Sequence, residues 1–259
     1  MYPEERQQAI AARVLSQGRA SVAELALAYD VTTETVRRDL AVLDRARLVR
    51  RVHGGAVPVR ALHVVEPGVD ERETTRADHK GAIARAAVEF LPLSGATVLF
   101  DAGTTTARVA AMLPADRELV AVTNSVPIAA RLAAMPTINL QLLGGRVRGL
   151  TQAAVGESVL VALDTMRVDI AFIGTNGITL RHGLSTPDGD EAAVKRTMVR
   201  CANYVVVLAD SSKIGREEFV SFAPIGSVDA LITDREINPA DRAELTAQGI
   251  EVVVAEWES

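Results

Sequence analysis

Apolar positions recur with a helical period at the start of the chain and with a strand period further on. Pro3 to Gln17 opens with proline and an acidic first turn and sets Ile10 and Val14 on one face, so it predicts a helix that Gly18 ends. Ser21-Val-Ala-Glu24 is a capping box and starts a short second helix carrying Leu25, Ala26 and Ala28, after which Tyr29-Asp30-Val31 turns the chain. Thr32 caps a third helix from Thr33 to Ala46. At about 100° per residue, Val36, Leu40 and Leu43 fall within roughly 60° of one another as its buried face. Glu34, Arg38, Ala41 and Arg45 lie opposite, with Thr35 and Arg37 on the flanks. Leu48 to Val57 then alternates around the pair Gly54-Gly55, the pattern of a small β-hairpin.

From Pro58 to Arg76 the periodicity fades among proline, glycine and charged residues, as in a linker. A helix follows from Ala77 to Phe90 with Lys80 near its start. Beyond it, short apolar, β-branched runs alternate with amphipathic stretches. Strands are predicted at 97–100, 119–123, 138–143, 168–173, 204–208, 230–233 and 250–254, and helices at 107–113, 126–134, 157–164, 190–200 and 239–248. The expected fold is α/β, a doubly wound, mostly parallel sheet covered on both faces. Three segments result: an N-terminal module at 1–57, a linker at 58–76 and an α/β domain at 77–259.

Charge divides the chain the same way. Residues 1–60 hold ten arginines against seven acidic residues, a balance of +3, so the remaining 199 residues carry −8 of the net −5. Two units with different partners explain this most simply. Lysine is rare, with Lys80, Lys195 and Lys213 the only three among 28 basic residues, which points to point-charge chemistry at those positions. One cysteine, Cys201, excludes an internal disulfide and any multi-cysteine metal site. No apolar run approaches the ~20 residues of a membrane span. The charged start Met1-Tyr-Pro-Glu-Glu-Arg-Gln-Gln lacks the apolar stretch of a signal peptide, so the expected location is the cytoplasm. Nothing calls for a metal or a cofactor.

A short helix, a tight turn and a second helix with an arginine- and threonine-rich outer face is what a helix-turn-helix needs to enter the major groove. Arginine reads guanine edges in two-point contact while Thr and Ser hold phosphates. The DNA-binding candidates are therefore Ser21, Thr32, Thr33, Glu34, Thr35, Arg37, Arg38 and Arg45, with Arg50, Arg51 and His53 of the hairpin placed to reach the backbone. A three-helix bundle with a solvated basic face is the simpler alternative.

In the α/β domain, Asp101-Ala-Gly103-Thr104-Thr105-Thr106 follows a strand and opens a helix, so unpaired N–H groups, hydroxyls and the positive end of a helix dipole meet there. An ordinary threonine N-cap fits those residues as well. Four companion loops fall at the carboxyl ends of other strands, where open sheets bind ligands: Asn124-Ser125, Gly144-Gly145, Gly174 to Gly177 with Asn176, and Asp210 to Lys213. Lys195 and Lys213 suit a phosphate, and Asp190, Glu191 and Asp210 suit the hydroxyls of a polyol. Glu191 and Lys195 also have the spacing of a helical surface pair. A sugar phosphate satisfies the whole set.

Ser21-Val-Ala-Glu-Leu25, Thr32-Thr-Glu-Thr-Val-Arg-Arg-Asp-Leu40 and Val49-Arg-Arg-Val-His-Gly-Gly-Ala56 resemble the N-terminal signature of DeoR-type bacterial transcriptional regulators. Asp101 to Thr106, Val122-Thr-Asn-Ser125, Leu143-Gly-Gly145, Gly174-Thr-Asn-Gly177, Asp190-Glu191 to Lys195 and Ala209-Asp-Ser-Ser-Lys213 resemble the family's sensor domain. The resemblance implies a winged helix-turn-helix joined to a domain similar in fold to ribose-5-phosphate isomerase that binds phosphorylated sugars, with Lys80 and Arg148 added to the effector-binding candidates. Met1 to Ile10, Arg146 to Gly156 and His182 to Asp188 look most like actinobacterial repressors of fructose utilisation, which implies fructose 1-phosphate as effector. The function expected is a repressor released from operator DNA by a sugar phosphate. A homo-oligomer, dimer or tetramer, is expected because operators of winged modules carry repeated half-sites. Two alternatives stand beside it. One is an isomerase-like enzyme with a DNA-binding appendage, against which the acidic Asp-Gly-Ala-Asp-type loop of true isomerases is missing. The other is a regulator whose large domain only oligomerises.

Overall fold

The computed structural model describes residues 3–17, 20–46, 48–52, 55–58 and 67–256, and the chain divides into two compact units, Met1–Glu66 and Pro67–Ser259. The first contains α1 (Pro3–Gln17), β1 (Ala20–Ser21), α2 (Val22–Tyr29), α3 (Thr33–Arg45), β2 (Val49–Val52) and β3 (Gly55–Pro58). Strands β2 and β3 form the antiparallel hairpin, and β3 also pairs with the two-residue β1, too short to leave a sequence pattern. The local chemistry is as expected. Ser21 and Glu24 form a reciprocal capping box, Asp30 ends α2 in the left-handed region, and the Thr32 hydroxyl accepts from Thr35 N at 3.2 Å to start α3. Ile10, Val14, Leu25, Val36, Leu40 and Leu43 make the core. A buried ion pair adds to it, with Arg6 Nε 2.6 Å from Asp39 Oδ2 and Gln7 Nε2 donating to Asp39 Oδ1 at 2.9 Å. Asp39 thereby fixes the rotation of α3 against α1.

The second unit contains α4 (Val69–Thr74), α5 (Ala77–Ala87), β4 (Thr97–Phe100), α6 (Thr104–Ala111), β5 (Leu119–Thr123), α7 (Val126–Leu132), β6 (Ile138–Leu142), β7 (Arg146–Arg148), β8 (Ala153–Val155), α8 (Glu157–Asp164) and β9 (Val168–Gly174). It continues with β10 (Gly177–Thr179), β11 (Gly183–Thr186), α9 (Gly189–Cys201), β12 (Ala202–Leu208), β13 (Val220–Ala223), β14 (Ala230–Asp234), α10 (Pro239–Ala247) and β15 (Glu251–Ala255). Seven strands form one sheet in the order β15-β14-β12-β9-β4-β5-β6, every pair parallel.

Alternate strand residues feed two cores. Val98, Phe100, Phe172 and Val206 pack with Ile83, Val109 and Ile128 of α5, α6 and α7, while Leu99, Ala171, Ile173 and Val207 pack with Val159, Val194 and Met198 of α8 and α9. Burial on both faces explains why these strands read as continuous apolar runs. The chain builds outward from β4 to β6, returns to the other flank of β4 with β9, and continues to β15. The direction of winding therefore reverses between β4 and β9, which places a crevice beyond their carboxyl ends.

Two features depart from the sequence pattern. Residues 67–76, inside the stretch read as linker, belong to the second unit and include α4, whose side chains are all at least partly exposed. A helix of six residues with no buried face leaves no apolar period. The stretches between the main strands also pair among themselves, as a β7-β8 hairpin and an antiparallel sheet β10-β11-β13. In that sheet Gly177 has a steric role, because a Cβ there would stand 2.5 Å from the Arg216 carbonyl oxygen.

Candidate functional site

On the first unit, α3 turns Val36, Leu40 and Leu43 inward and leaves Thr33, Glu34, Arg37 and Arg38 exposed, with Thr35 partly so. Glu34 stands 3.5 Å from Arg37 and 3.8 Å from Arg38, exposed surface pairs that cost little to exchange for DNA. The hydroxyls of Ser21 and Thr32 accept cap hydrogen bonds, and Thr32 also shares a 2.9 Å hydrogen bond with the Thr35 hydroxyl. Arg50 and Arg51 lie on the hairpin strand β2, but their side chains and that of Arg45 fall outside the described residues, as does His53.

On the second unit the sequence-marked loops do follow strands at one end of the parallel sheet, but they do not all meet. One cleft at the switch point is lined by Gly103 to Thr106 after β4, Gly174 and Thr175 after β9, and Leu208, Ala209, Asp210, Ser212 and Lys213 after β12. Its remaining wall comes from Pro67, Arg72, Thr75, Arg76 and Lys80, at the start of the unit and on α5.

Helix α6 opens into this cleft uncapped. Its N-cap is Gly103, not a threonine, and no side chain among the described residues accepts from its first N–H groups, whereas Ser125, Asp188 and Asn238 cap α7, α9 and α10. Gly103 is extended (φ 177), so its backbone angle does not call for glycine, and a Cβ there would make a tight contact, 3.1 Å from Thr106 Oγ1. Thr106 donates its hydroxyl to Gly103 O at 2.9 Å. The first backbone N–H groups of α6 and the hydroxyls of Thr104 and Thr105 have no partner among the described residues.

Positive charge gathers around this helix end. Arg72, Arg76, Lys80 and Lys213 line the cleft against one carboxylate, Asp210. Burial pushes the Lys80 pKa down from 10.5 to about 8, Asp210 pulling upward and Arg72 further down, and its Nζ donates to the Arg72 carbonyl. Burial also lowers Lys213, whose side-chain amine has no hydrogen-bond or ion-pair partner among the described residues. Arg76 is opposed by burial, but Glu236, Asp210 and Asp234 outweigh that and hold its pKa above the ordinary value. Its Nε lies 3.2 Å from Asp210 and its Nη2 2.6 Å from Glu236.

Other sequence candidates support the cleft or stand apart from it. Lys195 forms a buried ion pair with Asp101 and donates to Gly174 O at 3.0 Å, while Gly174 N donates back to Asp101 at 2.9 Å. The pair ties the loops after β4 and β9 together from beneath. Burial raises the Asp101 carboxyl above its usual range, against the pull of Lys195. Asn124 accepts from Ala102 N and donates to Ala154 O, both at 3.1 Å, so its amide is used internally, and Ser125 caps α7. Asn176 accepts from Thr186, and Gly177 packs against Arg216. Gly144 and Gly145 lie past β6, on the far side of β4 from the cleft, where the Gly144 carbonyl accepts from Ser158. Glu191 accepts from Arg148 and Thr151, while Asp190 pairs with Arg146, clasping the β7-β8 hairpin onto α9. Arg72, Thr75 and Arg76 line the cleft without having been marked by the sequence, and Thr175 and Ser212 line it from within marked loops without having been singled out. The four-residue spacing of Arg72 and Arg76, behind the acidic turn of Asp70 and Glu71, is the signal that could have found two of them.

Residues 6–60 match the DeoR-like helix-turn-helix domain, and residues 75–235 match the DeoR C terminal sensor domain. The chain belongs to the DeoR family. It is therefore a regulator of transcription and not an enzyme, which sets the isomerase alternative aside. This DeoR chain is 39% identical over 253 residues, 98% of each protein, to the HTH-type transcriptional regulator GlpR of Haloferax volcanii. It is 36% identical over 236 residues, 91% of the chain and 93% of the relative, to the uncharacterized HTH-type transcriptional regulator FruR of Bacillus subtilis. Among solved structures, ribose 5-phosphate isomerase A of Methanocaldococcus jannaschii aligns over 53% of this chain and 54% of its own, at 21% identity and a TM-score of 0.39. No helix among the described residues is long and apolar enough to cross a membrane.

Proposed function

We propose that this DeoR regulator is a cytoplasmic repressor of a sugar-utilisation operon, fructose being the preferred sugar, and that a phosphorylated sugar, fructose 1-phosphate, releases it from its operator. The cleft carries the reading. An uncapped helix N-terminus facing four cationic side chains and one carboxylate has the electrostatics of a phosphate site, because a phosphate brings about −1.5 to −2 charges and three strong acceptor oxygens. Asp210 and Ser212 in its lining suit sugar hydroxyls. Fructose is favoured by the segments Met1 to Ile10, Arg146 to Gly156 and His182 to Asp188, which resemble fructose-operon repressors. Operator binding is assigned to the exposed face of α3 and to the β2-β3 wing, in a homo-oligomer.

Release requires the sugar phosphate to bind the two states of the protein unequally, and a difference of about 10⁴ takes the operator from almost full to almost empty. A gel shift on the DNA upstream of the gene tests this. The protein shifts that DNA at low salt, and one phosphorylated sugar abolishes the shift. Well-folded protein that leaves the DNA unshifted would contradict the proposal.

The cleft also sets a pH dependence. The ligand gains its second charge near pH 6, and the anion binds the protonated form of Lys80, whose pKa burial lowers to about 8. Affinity is expected to rise through about pH 6, peak near neutrality and fall above about pH 8 by up to about tenfold per pH unit for one linked proton. Calorimetric titrations at about pH 7 and about pH 9 measure the fall, and Lys80→Arg should move it to higher pH.

A further inference from the structure

We propose that the segment Pro67 to Arg76 is part of the ligand site, and that anion binding by Arg72 and Arg76 is how the signal passes to the chain leading to the DNA-binding unit. The inference rests on the cleft being the ligand site. It concerns residues that lie almost entirely between the two segments matching the family's domains, 6–60 and 75–235.

Covalent order comes first. Pro67 opens the second unit and already lines the cleft, followed by Arg72, Thr75 and Arg76. Chain arriving from the first unit thus enters the second as a wall of the ligand cleft, so anything that fixes or frees this wall acts directly on the connection.

The wall is weakly attached. No residue of α4 is buried. Val69 N donates to Leu150 O at 2.9 Å, Glu73 pairs with Arg108, and the Arg72 carbonyl accepts from Lys80. A short helix held by a few polar contacts and no apolar face belongs to the low-stability end of a structure, where small differences in ligand contact shift populations.

Two arginines couple it to an anion. Among the described residues the Arg72 guanidinium has no ion-pair or hydrogen-bond partner, so an anion at the α6 N-terminus gives it its counter-charge. Arg76 is the joint between α4 and α5 and holds the left-handed conformation, φ 52 and ψ 41, that side chains rarely adopt. Its guanidinium anchors that joint on Asp210, Asp234 and Glu236. An anion in the cleft competes with Asp210 for the same group. Ligand therefore recruits one arginine and re-partners the other, and clamps α4 against the end of the sheet.

Amide hydrogen exchange on the full chain tests this, with inorganic phosphate as the probe at tens of millimolar and chloride matching the ionic strength. The expected result is slowing of about tenfold or more both at the first turn of α6, residues 104–107, and across α4, residues 72–75. In Arg72→Gln, with phosphate raised until the slowing at α6 saturates, that at α4 is lost. Arg76→Gly tolerates the left-handed joint without the guanidinium and should likewise lose the α4 response. Slowing at α6 alone in the wild-type chain overturns the inference and leaves the cleft as the ligand site. Slowing at neither place overturns both. An α4 response that survives in both variants also overturns the coupling role of the arginines.

Discussion

Replacing Arg37 and Arg38 together with alanine should weaken operator binding by about 10² to 10⁴-fold while leaving sugar-phosphate binding unchanged. Both guanidinium groups stand on the solvent face of α3, whose rotation is fixed by the buried Val36, Leu40 and Leu43 and by the Arg6–Asp39 ion pair. A bidentate contact to a guanine edge is worth about 1–3 kcal/mol of discrimination. A phosphate contact lowers the slope of log affinity against log salt by about one. Fluorescence anisotropy at several salt concentrations, with each arginine also replaced singly, separates the two roles. An arginine that reads a base relaxes specificity at one position and leaves the salt slope nearly unchanged. An affinity of the double variant within about threefold of wild type would contradict the assignment of α3 as the reading helix.

Lys213→Ala should leave operator affinity nearly unchanged and raise the sugar-phosphate concentration needed for release by about 10 to 100-fold. The fold around it does not depend on the amine. Asp210 caps the single turn Ser211–Lys213 through Ser212 N, and Lys213 N bonds back to Asp210 O at 3.0 Å, both through the backbone of the turn. The side chain faces a cleft in which Asp210 is the one carboxylate, and Asp210 is already engaged by Arg76. Hydrogen bonds to charged groups are worth about 1.5–3 kcal/mol, and the loss falls on the ligand-bound state alone. The combination predicts a repressor that stays on its operator at sugar-phosphate concentrations that release the wild type. Equal release by wild type and variant would place the anion elsewhere.

The elements of this fold were largely legible because each carries a strong local period or cap. Ser21 and Thr32 cap α2 and α3 as read from the sequence, and α8 and β5 keep the bounds read from it, whereas Ser125, read as a ligand residue, caps α7. Strand alternation implied a parallel sheet with its polar loops at one end. It did not carry the strand order, and the order decides which loops meet. Loops after β4, β9 and β12 are neighbours at the switch point and share the cleft, whereas those after β5 and β6 lie on the other flank of β4. Asn124, Gly144 and Gly145 had suitable chemistry in a position that no pattern within a single strand encodes.

Scarcity of lysine marked three positions with special surroundings but not what surrounds them. Lys80 and Lys213 line the cleft, while Lys195 neutralises Asp101 beneath it. The loop Asp101 to Thr106 presents the reverse case. Its threonines suggested either a cap or a ligand site, and the structure makes Gly103 the N-cap with no side-chain bond, so the capping alternative does not use the threonine hydroxyls. Arg72 and Arg76 escaped notice because a short helix without an apolar face looks like linker in sequence.

The most direct measurement is a calorimetric titration of the full wild-type chain at neutral pH with a panel of sugar phosphates including fructose 1-phosphate, each run beside its unphosphorylated sugar. A cleft built on an open helix end and four cations predicts that at least one phosphorylated sugar binds, that its parent sugar does not, and that Lys213→Ala weakens the binding. Absence of binding by every sugar phosphate at millimolar concentration, or equal binding of a sugar with and without its phosphate, would contradict it.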